Sequence, residues 1–225
     1  MRQGPRISRE ERKERILEAV SKVFSRKGLE AASSKELARE AGISEALLYQ
    51  HFRSKEELYR AMLDSCANAW LGSARNKLLS LAPSTSGLVT IVYFLVSRLL
   101  SPHPVEAIAI PRFILRSMAG DGKFARTAYY EFPIVPKLEE CIKAAIAAGD
   151  IERKSGLPRL QAWFAHHVAV GVMYDFLPSI PLVDYGVSRE KLIDQTVLFA
   201  LRGTGLKEKA IRRYYDPKEL ALLAA

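Results

Sequence analysis

Four helix starts crowd into the first 55 residues of this chain, and that punctuation leaves little choice of fold for the segment. Ser8-Arg9-Glu10-Glu11, Ser33-Ser34-Lys35-Glu36 and Ser54-Lys55-Glu56-Glu57 each read S-x-x-E. In that pattern the serine oxygen accepts the third backbone N–H and the glutamate reaches back to the N–H of the cap. Ser44 supplies a further cap without the glutamate. Between the caps apolar residues recur at helical spacing. Ile16, Val20, Val23 and Phe24 form one stripe, which Lys27-Gly28 ends with a glycine suited to a left-handed C-cap. A second helix from Lys35 to Glu40 buries Leu37 and Ala38 and stops before Gly42. Only Gly42 and Ile43 separate it from Ser44, so the chain runs helix, tight glycine turn, helix, the sequence form of the helix-turn-helix. Leu37, Ala41, Ile43, Leu48 and Phe52 are the natural core of such a three-helix unit.

A fourth helix opening at Ser54 carries Leu58, Met62, Cys66 and Ala69 on one face and is expected to run to the turn marked by Pro83, Ser84, Thr85, Ser86 and Gly87. Residues 88–100 are apolar on nearly every face, which predicts a helix at the centre of a second domain. Helical stretches follow near 105–118, 123–148, 158–177 and 188–203, with Pro111, Pro133 and Pro136 expected to kink or divide the first two. Strand alternation is absent, so the expected class is all-α. The expected domains are 1–53, with a flexible arm over 1–7, then 54–205, then a C-terminal extension over 206–225 whose role stays open.

Composition narrows the function classes. With 225 residues, 48% hydrophobic and 26% charged, the chain is ordinary for a globular protein, and a net charge of +9 favours polyanions such as nucleic acid or an anionic membrane. The positive charge is interspersed with acids and no strongly basic amphipathic segment stands out, so no membrane partner is expected. Cys66 and Cys141 fall in no CxxC or histidine-rich spacing, which predicts reduced, buried thiols, no metal and no cofactor. The charged start lacks the apolar core of a secretory signal, and the run Leu88 to Val96 is too short for a bilayer, so the expected location is the cytoplasm. No HExxH, GxSxG, P-loop or dinucleotide motif occurs, and the adjacent His166 and His167 face different sides of a helix. A binding protein is therefore expected, not an enzyme.

The third helix leaves Glu45, Ala46, Leu47, Tyr49, Gln50 and His51 exposed, flanked by Lys35 and Lys55. Small, amide and hydroxyl groups between cations suit a helix laid in the major groove of DNA. The run Ala41-Gly42-Ile43-Ser44, followed by Leu48-Tyr49-Gln50-His51-Phe52-Arg53-Ser54-Lys55, resembles the signature of the tetracycline-repressor-like (TetR) family of transcriptional regulators. Ala46 stands where many members have glycine, a change that favours the helix.

The resemblance implies that Tyr49, His51 and Lys55 hold backbone phosphates and that Glu45, Ala46, Leu47 and Gln50 touch bases, with Ser44 opening that helix. Ser33, Ser34 and Lys35 open the second helix, whose N–H groups suit a phosphate. Gln50 can pair with adenine and Leu47 can meet a thymine methyl, while Glu45 either accepts from cytosine N4 or stays solvated. Each residue also has a structural reading: Tyr49 and His51 as surface cover, Lys55 as a first-turn residue of the fourth helix. Arg2, Arg6 and Arg9 either reach a neighbouring minor groove or form a solvated arm.

For the remainder, the resemblance implies a helical effector-binding and dimerisation domain. The expected partners are operator double-stranded DNA, a second copy in a homodimer, and a small apolar or amphipathic effector that releases a repressor from a palindromic site. Residues 158–177 and 188–201 are more apolar than a one-sided surface helix requires, as a dimer interface needs. Candidate effector-lining residues are Tyr93, Phe94, Arg112, Phe113, Arg116, Tyr129, Tyr130, Trp163, His166 and Met173, each with a plain core or surface role as its alternative.

Overall fold

A computed structural model describes residues 8–71, 74–101, 109–119, 122, 125–126, 134–154, 156–178 and 180–224. Among the described residues the regular structure is helical, apart from one antiparallel bridge between Ile151 and Leu206. No described helix is long and apolar enough to cross a membrane. The chain divides into two compact units, Met1–Gly72 with His103–Ala128 and Ser73–Pro102 with Tyr129–Ala225.

The first unit contains α1 (Arg9–Ala31), α2 (Ser34–Glu40), α3 (Glu45–His51), α4 (Lys55–Leu71) and α7 (Ala109–Ala119). Its serine caps form as the sequence predicts: the hydroxyls of Ser8, Ser33, Ser44 and Ser54 accept from the N–H groups of Glu11, Glu36, Leu47 and Glu57. The glutamates behave less uniformly. Glu36 reaches back to the Ser33 N–H and completes a capping box. Glu11 turns to Arg15 at 3.7 Å instead, and Glu57 accepts from the Arg53 N–H at 2.7 Å. A carboxylate beside several donors takes the best-aligned one, and S-x-x-E alone does not say which that is.

Gly28 breaks α1 with φ 75°, where the sequence puts its stop, although a final helical turn continues to Ala31. Gly42 adopts φ 65° between α2 and α3. Its N–H donates to Arg39 O at 3.1 Å and the Ile43 N–H donates to Ala38 O at 3.0 Å, a Schellman closure that only a left-handed residue permits. Nothing lies within 4 Å of a Cβ placed on Gly42, so glycine is needed there for its φ and not for space. Ile16, Val20, Phe24, Leu37, Leu48, Phe52, Leu58 and Met62 form the core of the unit, with Ala41 and Ile43 partly buried against it. Phe24 meets Tyr59 edge-on at 4.9 Å, and α4 and α7 pack within this unit.

The second unit sets α8 (Ile134–Ala147), α9 (Pro158–Tyr174), α10 (Arg189–Gly203), α11 (Glu208–Tyr214) and α12 (Pro217–Ala224) around α6 (Thr85–Leu100), with α5 (Ala74–Ser80) packed on α8. Helices α8 to α12 all pack against α6, whose Leu88, Ile91, Val96 and Leu100 are shut away from solvent. A Cβ on Gly87 would come within 3.3 Å of Cys141 Sγ, so glycine here lets α6 and α8 approach closely. Cys141 is a buried free thiol, and the side chain of Cys66 lies outside the described residues.

Three sequence expectations change. The helix opening after Ser54 ends at Leu71, and α5 is separate, so one predicted helix is two. Pro111 and Pro136 stand third in α7 and α8, inside the first turn, where no intrahelical N–H bond is lost, so they do not kink these helices; that α8 begins at Ile134, within the predicted stretch 123–148, agrees with the expected division, and Pro133 lies outside the described residues. The end of the chain is built into the second unit: the Lys207 ammonium donates to Gly149 O at 2.8 Å, its N–H donates to Asp150 O at 3.0 Å, and Leu220 is buried.

Candidate nucleic-acid interface

Leu48 and Phe52 are each 1% exposed and pin α3 to the core by one edge, so its opposite edge faces outward. That edge carries Glu45, Ala46, Tyr49 and Gln50, with Leu47 half-buried beside them. Ser44 is spent on capping: its hydroxyl accepts from the Leu47 N–H at 3.1 Å.

Tyr49 is 42% exposed, yet its hydroxyl is not loose. It lies 2.5 Å from the Ser34 hydroxyl on α2, so two uncharged hydrogen-bonding groups are held side by side across the turn. Ser33 caps α2, and the Glu36 carboxylate sits at the same end, bonded to Ser33 and paired with Lys27 at 2.5 Å. These contacts, Lys27 first and then Ser33, hold the Glu36 carboxyl below its ordinary range. A negative charge already stands where the second helix was expected to meet a phosphate. Lys35 is exposed next to it.

Lys55 points back at α1. Its ammonium donates to Ala32 O at 3.2 Å and to Glu30 O at 3.4 Å, satisfying carbonyls at the end of a helix that has no basic residue in its own last turn. His51 is half-buried against Phe52, with ring centroids 6.4 Å apart. Burial, then the charges of Arg9, Arg12 and Lys13, push its pKa down. Arg9, named above with the N-terminal arm, stands in the first turn of α1, and Arg12 and Lys13 beside it are not singled out by the sequence reading. Their signal in the sequence is the spacing 9, 12, 13, which continues the buried stripe of Ile16 and Val20.

The effector-lining candidates divide. Tyr93 and Phe94 are buried on α6, while His166 and Met173 are buried on α9 with Trp163 partly exposed. Trp163 meets His166 edge-on at 5.7 Å and stacks on His167 at 5.5 Å, and burial followed by the His167 charge pushes the His166 pKa down to about 4. Tyr93 lies 6.4 Å from Tyr215 of the C-terminal extension, whose hydroxyl donates to Asp194 at 3.0 Å. Arg112 is exposed on α7, in the first unit. The side chains of Phe113 and Arg116, and the whole of Tyr129 and Tyr130, lie outside the described residues. Leu157, Leu160, Phe164, His167 and Gly171 recur at helical spacing as an exposed face of α9, with Phe164 60% exposed.

Residues 16–62 match the family model of bacterial regulatory proteins, tetR family. Over 77 residues the chain is 43% identical to the HTH-type transcriptional activator FasR of Mycolicibacterium smegmatis, covering 34% of this chain and 35% of FasR. Over 59 residues it is 30% identical to IcaR, the negative transcriptional regulator of the biofilm operon icaADBC in Staphylococcus epidermidis, covering 26% of this chain and 32% of IcaR. The matched stretch thus spans about a third of each of these relatives' length. The solved structure of AibR in complex with isovaleryl coenzyme A and operator DNA shares the fold, with a TM-score of 0.63 at 20% identity over 84% of this chain and 97% of that one.

Proposed function

We propose that the chain, whose residues 16–62 match the TetR family of bacterial regulatory proteins, is a sequence-specific DNA-binding repressor of that family. The observation that carries the reading is the outward edge of α3. Its amide, small and hydroxyl groups sit on a rigidly packed helix, and the Ser34–Tyr49 pair holds the tyrosine hydroxyl in place. Gln50, with Glu45, Ala46 and Leu47, reads bases; Tyr49, Ser34, His51 and the exposed Lys35 meet backbone phosphates. The chain acts in the cytoplasm as a regulator and not as an enzyme.

The functional species is a homodimer joined through the exposed face of α9 and through Phe199 on α10, which is 65% exposed. Apolar side chains of this size on one face exceed what a surface helix of a monomer requires, and a two-fold pair of recognition helices about 34 Å apart reads a palindrome on one side of the duplex. A small apolar or amphipathic effector bound among α6 and α9, near Tyr93, Phe94, Trp163 and Met173, favours a dimer with displaced recognition helices. A hundredfold loss of operator affinity needs only about 2.7 kcal/mol of such coupling. Because AibR was solved with isovaleryl coenzyme A and operator DNA, acyl-coenzyme A thioesters are the first probes to try.

The test is selection of bound sites from random-sequence DNA with the full chain. A palindrome whose half-sites lie about one helical turn apart supports the reading. Recovery of no common sequence, with binding that depends on salt alone, overturns it.

A further inference from the structure

The start of α1 segregates its charges. Arg9, Arg12 and Lys13 stand at i, i+3 and i+4, with Ile16 at i+7, so they prolong the buried stripe of Ile16, Val20 and Val23 beyond the last packed turn. Glu10, Glu14 and Glu18 recur at i+4 on another side, and Glu11 is engaged by Arg15. Because the stripe faces the core, its cationic end faces the end of α3. The Lys13 ammonium lies 5.4 Å from the centroid of the Phe52 ring, next to His51, which feels the charges of all three. Among the described residues none of Arg9, Arg12 and Lys13 is in an ion pair. The turn of α1 beside the end of α3 thus carries three cations without an ion-pair partner among the described residues, an arrangement an anion would relieve.

We propose that Arg9, Arg12 and Lys13 of α1, with His51 at the end of α3, form a seat for a backbone phosphate of DNA, separate from the uncharged Ser34–Tyr49 pair. The seat rests on the DNA-binding reading and extends it from α2 and α3 to α1. Two kinds of phosphate contact then flank the bases: hydroxyl donors at the α2 side of the recognition helix and cations at its far end. Guanidinium and ammonium groups are the side chains that release counterions on meeting a phosphate, so the seat supplies much of the salt dependence, whereas the hydroxyls fix register.

The test compares three pairs of substitutions in the full chain by fluorescence anisotropy on a labelled random-sequence duplex over a range of sodium chloride. Arg12→Gln with Lys13→Gln removes two seat cations. Arg9→Gln with Arg12→Gln removes two while keeping the Lys13–Phe52 contact, which guards against a folding defect. Arg15→Gln with Lys22→Gln removes the same charge from other sides of α1. Each seat pair should lower the slope of log affinity against log salt by about 0.9, the amount for the one phosphate the seat holds, and weaken binding at low salt on the order of tenfold. The Arg15 and Lys22 pair should stay within about twofold of wild type with its slope unchanged. Equal loss from all three pairs means that net charge alone matters and overturns the seat, as does an unchanged slope in both seat pairs. Failure of the wild-type chain to bind the duplex at all removes the DNA-binding reading itself.

Discussion

Lys55 is where fold and DNA contact compete for one ammonium, and Lys55→Met separates them because it keeps most of the stem and deletes the charge. Of the two carbonyls it serves, Ala32 O belongs to a residue only 1% exposed, and Glu30 O is open to water. Water replaces the ammonium at Glu30 at little cost. At Ala32 it does so poorly, and a hydrogen bond to a charged donor contributes about 1.5 to 3 kcal/mol before the partial exposure of this one is allowed for. The expected loss is therefore about 1 kcal/mol, or a fall in melting temperature of roughly 2 to 4 °C for a chain of this size. Thermal melts and urea titrations followed by circular dichroism read it, and Lys55→Arg, which restores a cation, should recover part of it. Two ammonium protons face carbonyls, so a phosphate can claim the third, and the salt slope of DNA binding should fall by at most about 0.9. An unchanged melting temperature refutes the carbonyl clamp. A lowered melting temperature with an unchanged salt slope assigns Lys55 to the fold alone.

Tyr49→Phe and Ser34→Ala should each weaken binding to all sequences alike, and the double variant should lose less than the sum of the two, since the hydroxyls act as one unit; a double-mutant cycle on operator binding that closes additively refutes the pairing. His51 gives a pH dependence whose sign follows from its surroundings. Burial and neighbouring cations depress its pKa in the free protein, and a bound phosphate raises it, so binding takes up a proton. Affinity should rise as pH falls through the neutral to mildly acidic range, by less than tenfold per pH unit, and His51→Gln should flatten the profile; a flat wild-type profile refutes the contact. Gly42→Ala meets no steric obstacle but holds a Cβ residue at φ 65°, so it should cost about 1 kcal/mol in a urea titration, and a neutral result would place the strain elsewhere. Phe164→Asp on the exposed face of α9 should produce monomers in sedimentation velocity while leaving the helical signal intact; a dimer that persists unchanged refutes the α9 interface.

Much of the first unit is legible because its signals are local. A serine cap, a glycine at positive φ and an apolar stripe each act within one or two turns, so Ser33, Gly42 and Leu48 do in the fold what their spacing predicts. That residues 55–80 hold two helices, α4 and α5, is not legible, because an amphipathic pattern does not say where one helix ends and the next begins. Of the two effects expected of the prolines, division is the one the helices agree with: Pro111 and Pro136 stand in first turns, and whether proline starts or kinks a helix depends on which neighbours pack around it. Effector lining was the least legible, because large apolar side chains on a helix look alike whether they line a ligand site, fill a core or face a partner.

Sequence by itself determined that the N-terminal segment is a helix-turn-helix with an outward α3 edge of Glu45, Ala46, Tyr49 and Gln50, since helix caps, glycine geometry and period are set by residues close along the chain. Only the tertiary structure decided how the charged groups around that edge are used. Lys55 turns to carbonyls 23 and 25 residues away, Tyr49 is tied to Ser34 across the turn, and Lys13 of α1 lies over the Phe52 ring at the end of α3. The physical reason is range: a long cationic side chain or a hydroxyl takes whichever partner packing brings within about 3 Å, and that partner is chosen by the fold of the whole unit and not by the residues on either side.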